Sequence, residues 1–134
     1  MIFNIHIKKS KSIPLTLTFS QDGEHFVVTG SDRQIRIFKT RSCKIHRKYD
    51  ESLQAVADLR QLHGASASLD DMEFGRRLAL EKELDKTISL YGRSGIAMSN
   101  VIFDQSGHFL IHATLVGIKG MSSIFDERDK YDAN

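Results

Sequence analysis

Hydrophobic and polar positions alternate along the first third of the chain with the period of two that is typical of half-buried strands. In residues 13–19, apolar side chains alternate with threonines, and shorter apolar stretches follow at residues 26–29 and 35–38. A fourth, more polar stretch covers residues 45–49. Turn sequences separate all four, and glycine in these turns accepts positive φ angles. The pattern predicts a meander of four short antiparallel strands.

The period changes to that of amphipathic helices after residue 51. Ser52 is a candidate N-cap for a helix that ends near Gly64. Asp70 or Asp71 can cap a second helix over residues 72–87, which carries a narrow apolar stripe with charged flanks. We therefore expect two helices between two β regions.

Two positions on the second predicted helix carry structural expectations. Glu73 lies one turn before Arg77, a spacing at which the two side chains can form an ion pair. Gly75 weakens the helix by about 1 kcal/mol relative to alanine. This cost suggests that a neighbouring backbone approaches the helix closely at Gly75.

Strand character returns at residues 100–103, 109–114 and 117–119, and residues 19–23 match residues 103–107 at an offset of 84. This internal repeat indicates two similar β units on either side of the helical region. We divide the chain into five segments: a poorly matched N-terminal segment, a first blade, a helical insertion, a second, partial blade, and a polar tail. They cover residues 1–12, 13–50, 51–95, 96–120 and 121–134.

The first β unit resembles a WD repeat over residues 19–38. The resemblance rests on its turns, which contain Gly23, Gly30, Ser31 and Asp32. In that pattern, the aspartate before the third strand lies in a tight turn and accepts hydrogen bonds from neighbouring backbone. The sequence departs from the pattern where Phe38 replaces the usual Trp.

A more specific resemblance lies in the insertion. Its residues Asp71, Met72, Glu73, Phe74, Gly75, Arg76 and Arg77 resemble a stretch of the WD-repeat-containing cyclophilins, the family called peptidylprolyl isomerase domain and WD repeat-containing protein. The resemblance covers roughly residues 13–120. It implies a mainly β fold of about two WD40-like propeller blades, each an antiparallel four-stranded meander, with an α-helical insertion between them.

The same resemblance implies a function. Its relatives are nuclear, spliceosome-associated isomerases whose catalytic motifs lie in a cyclophilin domain, and this chain contains neither those motifs nor any Trp. We therefore expect a non-catalytic interaction or scaffold segment, and not an enzyme. One alternative is peptidyl-prolyl isomerase activity inherited from the full-length family. Another is RNA binding through the basic first blade.

Charge adds a candidate contact surface. The net charge is +2, but residues 1–50 carry +6 and residues 51–134 carry −4. Clustered positive charge binds phosphate groups without reading their sequence. An edge strand that is protected from aggregation by its charges would show the same clustering. We favour this interpretation over RNA binding, because no aromatic side chains that could stack on bases alternate with the basic residues. The basic cluster consists of Lys39, Arg41, Lys44, Arg47 and Lys48.

Other chemistry is weakly supported. Cys43 is the single cysteine, so an internal disulfide is excluded. No apolar run approaches the roughly 20 residues that a membrane span needs, and the N-terminus lacks a secretory pattern. His108 and His112 are four residues apart, a spacing that would put two metal ligands on one face of a helix. Here the residues between them predict a strand, with His108 in a turn and His112 on the polar face of that strand. We predict no cofactor, metal or catalytic residue.

The expected partners are other proteins, RNA as a weaker alternative, and a second copy through exposed sheet edges.

Overall fold

The structure is a computed structural model that describes residues 9, 11–63, 70–91 and 101–123. Several predicted features lie mostly outside these ranges: the N-terminal segment, the two breaks that flank the second helix, and the polar tail. The described elements, in chain order, are β1 (Pro14–Phe19), β2 (His25–Gly30), β3 (Gln34–Lys39), β4 (Ile45–Asp50), α1 (Leu53–His63), α2 (Asp71–Tyr91), β5 (Val101–Phe103), β6 (Phe109–Thr114) and β7 (Gly117–Ser122).

The first sheet has the strand order β1-β2-β3-β4, with every neighbouring pair antiparallel. The strands lie where the alternating pattern predicts them. Two register shifts interrupt the pairing, one between Pro14 and Thr16 on β1 and one opposite Ile37 and Phe38 on β4. Bulges of this kind bend the strand and can redirect a side chain. Leu15 and His46 lie at these two bulges.

Both helices begin at the predicted capping residues. The Ser52 hydroxyl accepts a hydrogen bond from the Ala55 amide at 3.3 Å, and the Asp70 carboxylate accepts one from the Met72 amide at 3.1 Å. These oxygens satisfy amides that have no partner within the helix. The Arg60 guanidinium lies 4.4 Å from the centre of the buried Phe74 ring and joins the two helices. Within the described ranges, neither helix is long and apolar enough to cross a membrane.

The second sheet has three antiparallel strands in the order β5-β6-β7. It shares one hydrophobic core with the first sheet, because side chains of β2 and β3 pack against side chains of β5, β6 and β7. This core consists of Val27, Ile35, Ile37, Val101, Leu110 and Met121. The Tyr49 hydroxyl adds a hydrogen bond to the Ser122 carbonyl across the two sheets.

The architecture is mainly β, with two antiparallel sheets and two helices. The prediction of about two WD40-like propeller blades is wrong. The second sheet has three strands where a blade has four, and the described part of the chain closes neither a propeller nor a barrel. Alternation and turn residues specify strands and their immediate neighbours. The arrangement of whole sheets depends on contacts between distant residues, which these local signals do not contain.

The two expectations for α2 have different outcomes. The ion pair is confirmed, since Arg77 Nε lies 2.8 Å from Glu73 Oε1. Arg77 also donates a hydrogen bond to the Leu115 carbonyl at 3.0 Å, which connects α2 to the second sheet. The expected close approach at Gly75 is wrong, because a Cβ atom there would have no neighbour within 4 Å.

Candidate functional site

A cavity of about 220 Å³ lies between the two sheets and the helices. One part of its lining is apolar and comes from Leu15, Ile35, Val56, Leu84, Val101 and Leu115. The other part can form hydrogen bonds and comes from Thr29, Ser31, Gln34, Glu51, His112 and Thr114. An apolar cavity of roughly 150 Å³ is already large enough to hold benzene. The inter-sheet cavity can therefore hold one ring-sized apolar group next to polar partners.

The bulge on β1 contributes to this cavity. Leu15 lies at this bulge, between Pro14, which pairs with Gly30, and Thr16, which pairs with Thr29. The side chain of Leu15 lines the cavity. A bulge next to a concave site is a common way to redirect a side chain.

Arg33 lies at the partly exposed side of the cavity, in the turn between β2 and β3, with a φ angle of 57°. Its Nη2 atom lies 2.6 Å from Glu81 Oε2 and 2.9 Å from Asp85 Oδ1. Burial alone would lower the pKa of Arg33, but hydrogen bonds to Asp85 and Glu81 outweigh this effect and raise it. Arg33 is thus a fixed cation that ties the first sheet to α2.

His112 is the buried polar side chain of the cavity, with 6% of its surface exposed. Its Nε2 atom has no hydrogen-bond partner and lies 4.0 Å from Glu51 Oε1. That carboxylate is held instead by Lys119, whose Nζ atom is 2.5 Å away. Burial lowers the pKa of His112 more strongly than Glu51 raises it. His112 is therefore a neutral imidazole whose Nε2 atom is available to a ligand.

A neutral imidazole can donate or accept a hydrogen bond, depending on its tautomer. Combined with the apolar lining, it favours a small apolar group that carries one hydrogen-bonding atom.

The described residues contain no group of three or more His, Cys, Asp or Glu side chains that could hold a metal ion.

Of the predicted turn residues, Gly30 and Ser31 line this cavity. Asp32 forms an ion pair with buried Arg36, with 2.6 Å between Oδ2 and Nη2, and accepts a hydrogen bond from the Gln34 amide at 3.2 Å. Burial would raise the pKa of Asp32, but the hydrogen bonds from Arg36 and Gln34 lower it. Gly23 has a φ angle of 73° in the preceding turn.

The predicted insertion residues lie away from the cavity. Asp71 pairs with Arg60 at 2.7 Å, and Phe74 is buried beneath the same arginine. Met72 is 73% exposed, and Arg76 is an exposed side chain 3.7 Å from Glu73. None of residues 71–77 lines the cavity. Their contacts hold α1 against α2 and α2 against the second sheet.

The predicted basic cluster is divided by the fold. Lys39 and Arg41 line a second cavity at the other end of the first sheet. Arg47 lies 5.1 Å from the centre of the Tyr49 ring. Lys44 and Lys48 are exposed, the former in a turn and the latter on β4. Contact of this cluster with RNA or an acidic partner stays a prediction.

The sequence interpretation missed His112 and Arg33. We expected His112 on a polar strand face, and this is wrong, because it lies on the buried inner face of β6 with Leu110. The signal was present, since Leu110 and His112 are two residues apart and side chains of a strand alternate between faces. Arg33 gave no comparable signal, because its partners are 48 and 52 residues away in the sequence.

No family model matches the chain. It is similar to peptidyl-prolyl cis-trans isomerase cyp15 of Rhizopus delemar, with 48% identity over 113 residues. It is 42% identical over 113 residues to peptidyl-prolyl cis-trans isomerase CYP71 of Arabidopsis thaliana. It is 40% identical over 111 residues to human peptidylprolyl isomerase domain and WD repeat-containing protein 1. These matches cover 83–84% of the chain but only 16–17% of the relatives.

These similarities correct our expectations about function. We expected a non-catalytic, partial propeller segment of a WD-repeat-containing cyclophilin. The assignment to the propeller region, the scaffold function and the expectation that the chain is not an enzyme are wrong. The relatives that match most of the chain are named as isomerases, and the described sheets do not form propeller blades. The similarities therefore favour the alternative of peptidyl-prolyl isomerase function.

Proposed function

We propose that this chain is part of a peptidyl-prolyl cis–trans isomerase. The observation that carries the proposal is the 40–48% identity to proteins named as isomerases, over 83–84% of the chain. The chain spans about one sixth of the length of these relatives, so the activity of the whole protein enters here as a proposal. Within the described residues, the inter-sheet cavity is the candidate site for a prolyl peptide.

The reaction needs no covalent intermediate, only rotation about one amide bond. Resonance gives this bond partial double-bond character and a rotation barrier of about 18–20 kcal/mol. Before a proline the uncatalysed exchange takes tens to hundreds of seconds. During rotation, electron density returns from the carbonyl oxygen to the prolyl nitrogen. A catalyst can therefore act by removing water from the amide and by donating a hydrogen bond to that nitrogen.

The cavity offers both contributions. Leu15, Ile35 and Val101 form apolar walls that would surround a proline ring and exclude water. His112 has a free Nε2 atom in the same cavity, and its neutral imidazole can donate one hydrogen bond. In this proposal, His112 donates to the prolyl nitrogen as the amide twists. Arg33 is held by Glu81 and Asp85 and maintains the cavity wall.

The test is an isomerisation assay on the purified chain. Exchange between the cis and trans forms of an Ala-Pro peptide is followed by NMR with and without the protein. We expect faster exchange with the native chain, and loss of most of the acceleration in His112→Ala. Lys82→Ala, an exposed change on α2, should leave the rate unchanged. Circular dichroism of each variant checks that it is folded.

The outcomes separate the two parts of the proposal. Acceleration that survives His112→Ala would retain the isomerase and reject the role of His112. No acceleration by the folded native chain would contradict the isomerase proposal for this chain.

Nuclear location and spliceosomal partners form a further part of the proposal. Their support is the sequence resemblance over roughly residues 13–120 and nothing in the geometry of the site. Fluorescence imaging of the tagged protein in its own cells tests the location. A uniform distribution between nucleus and cytoplasm would contradict it.

A further inference from the structure

A second cavity, of about 700 Å³, lies at the end of the two sheets where the turns of both meet. The first sheet supplies the turn before β2, the end of β3 and the turn after it. The second sheet supplies the turn before β6 and the end of β7. The lining includes three histidines, two cationic side chains and a serine: His25, His46, His108, Lys39, Arg41 and Ser42. None of these residues takes part in the proposed isomerase site.

The bulge on β4 contributes to this arrangement. Phe38 pairs with Ile45 and Ile37 pairs with Arg47, so His46 lies at the register shift between them. Its ring lies 5.0 Å from the ring of His25, measured between centres, and its Nε2 atom is 3.1 Å from the Ser123 carbonyl oxygen. A bulge thus directs an imidazole toward another imidazole at the junction of the sheets.

The lining carries charged side chains of both signs. Lys39 and Arg41 are cations, and Asp22 and Glu24 are the opposing carboxylates. Asp22 is already engaged, since it accepts hydrogen bonds from the Ser20 hydroxyl at 2.6 Å and the Glu24 amide at 3.0 Å. The formal charges of these four side chains cancel. Burial first, and then the neighbouring His25, lowers the pKa of His46.

We infer that this cavity binds a phosphoryl group carried by a peptide, such as phosphoserine. A phosphoryl group presents three acceptor oxygens and up to two negative charges. Imidazole, guanidinium, ammonium and hydroxyl groups of His25, His108, Arg41, Lys39 and Ser42 line one concave space and match such a group. Among the described residues that line this cavity there is no Phe, Tyr or Trp side chain, so they offer none of the stacking that proteins use for single-stranded RNA. A compact anion on a peptide therefore fits better than a nucleic-acid strand.

Isothermal titration calorimetry of the full chain tests the inference, with a phosphoserine peptide and its unphosphorylated form as probes. We expect binding of the phosphorylated peptide alone. The double variant Arg41→Ala with His108→Ala should weaken binding at least tenfold. Both residues are exposed, so the variant should keep its fold, which circular dichroism verifies.

The matched control is Lys48→Ala, which removes an exposed cation outside the cavity and should change affinity less than twofold. Equal binding of both peptides, or no saturable binding, would overturn the inference. So would a loss in Lys48→Ala as large as in the double variant, because this would indicate a diffuse basic surface. An RNA oligonucleotide that displaces the peptide and depends on Lys48 would assign the surface to nucleic acid. Inorganic phosphate binding as tightly as the peptide would overturn the peptide assignment.

Discussion

The guanidinium of Arg33 binds the carboxylate of Asp85 in two places, with Nε and Nη2 lying 3.1 and 2.9 Å from Oδ1. The two residues are 52 positions apart. One belongs to a turn of the first sheet and the other to the middle of α2. The same guanidinium binds Glu81, so one side chain fixes the helix against the cavity.

Replacement of Arg33 should destabilise the protein. Arg33→Ala removes the hydrogen bonds to Glu81 and Asp85 and leaves two neighbouring carboxylates without their cation. Because hydrogen bonds to charged groups contribute roughly 1.5–3 kcal/mol, we expect a loss of about 2 kcal/mol in the free energy of unfolding. Urea denaturation measures it. Lys86→Ala breaks an exposed pair with Glu83 and should cost less than about 1 kcal/mol. Equal losses in both variants would contradict a structural role for Arg33.

Two glycine substitutions should have opposite signs. A Cβ atom on Gly30 would collide with the Ser12 and Asp32 side chains. Neither can move freely, because Ser12 is buried and Asp32 is paired with Arg36. Gly30→Ala should therefore destabilise the protein by roughly 1–3 kcal/mol. Gly75→Ala, in the open surroundings of α2, should stabilise it by about 1 kcal/mol. Thermal unfolding of both variants measures the difference, and a shift in the same direction would contradict the packing described here.

Leu110 tests whether the two sheets share one core. Its side chain is fully buried between the sheets, so Leu110→Ala should cost about 2–5 kcal/mol. Ile102 on the outer face of the same sheet is 48% exposed, and Ile102→Ala should cost less than about 1 kcal/mol. Chemical denaturation, followed separately by the NMR amide signals of each sheet, should show one transition. Separate transitions for the sheets would contradict a shared core.

The lowered pKa of His112 makes stability depend on pH. Above its ordinary pKa of 6.5 the imidazole is neutral in the folded and unfolded chain, so the full stability is present. As the pH falls below 6.5, the unfolded chain takes up the proton first and stability decreases. His46 acts in the same direction. The slope of unfolding free energy against pH between 7 and 5 should be smaller in His112→Gln, and smaller again with His46→Gln added. An unchanged slope in both would contradict the burial of these rings.

Local signals predicted the strands and helices but not how they combine. The alternation in residues 13–19 and the caps Ser52 and Asp70 locate elements that the structure contains. The alternation of side chains along a strand also places His112 on the same face as Leu110, contrary to the polar face that we expected for it. The inter-sheet cavity was not predictable, because it depends on the Leu15 bulge and on the contact of Arg33 with α2. Both are properties of pairing between distant segments, and the assignment to propeller blades was wrong for the same reason.

The isomerase proposal is tested most directly by the exchange rate of an Ala-Pro peptide in the presence of the folded chain. Without a catalyst this exchange takes tens to hundreds of seconds. We expect the native chain to accelerate it in proportion to protein concentration, His112→Ala to lose most of the effect, and Lys82→Ala to retain it. An exchange rate equal to that in buffer, measured with folded native protein, would contradict the proposal.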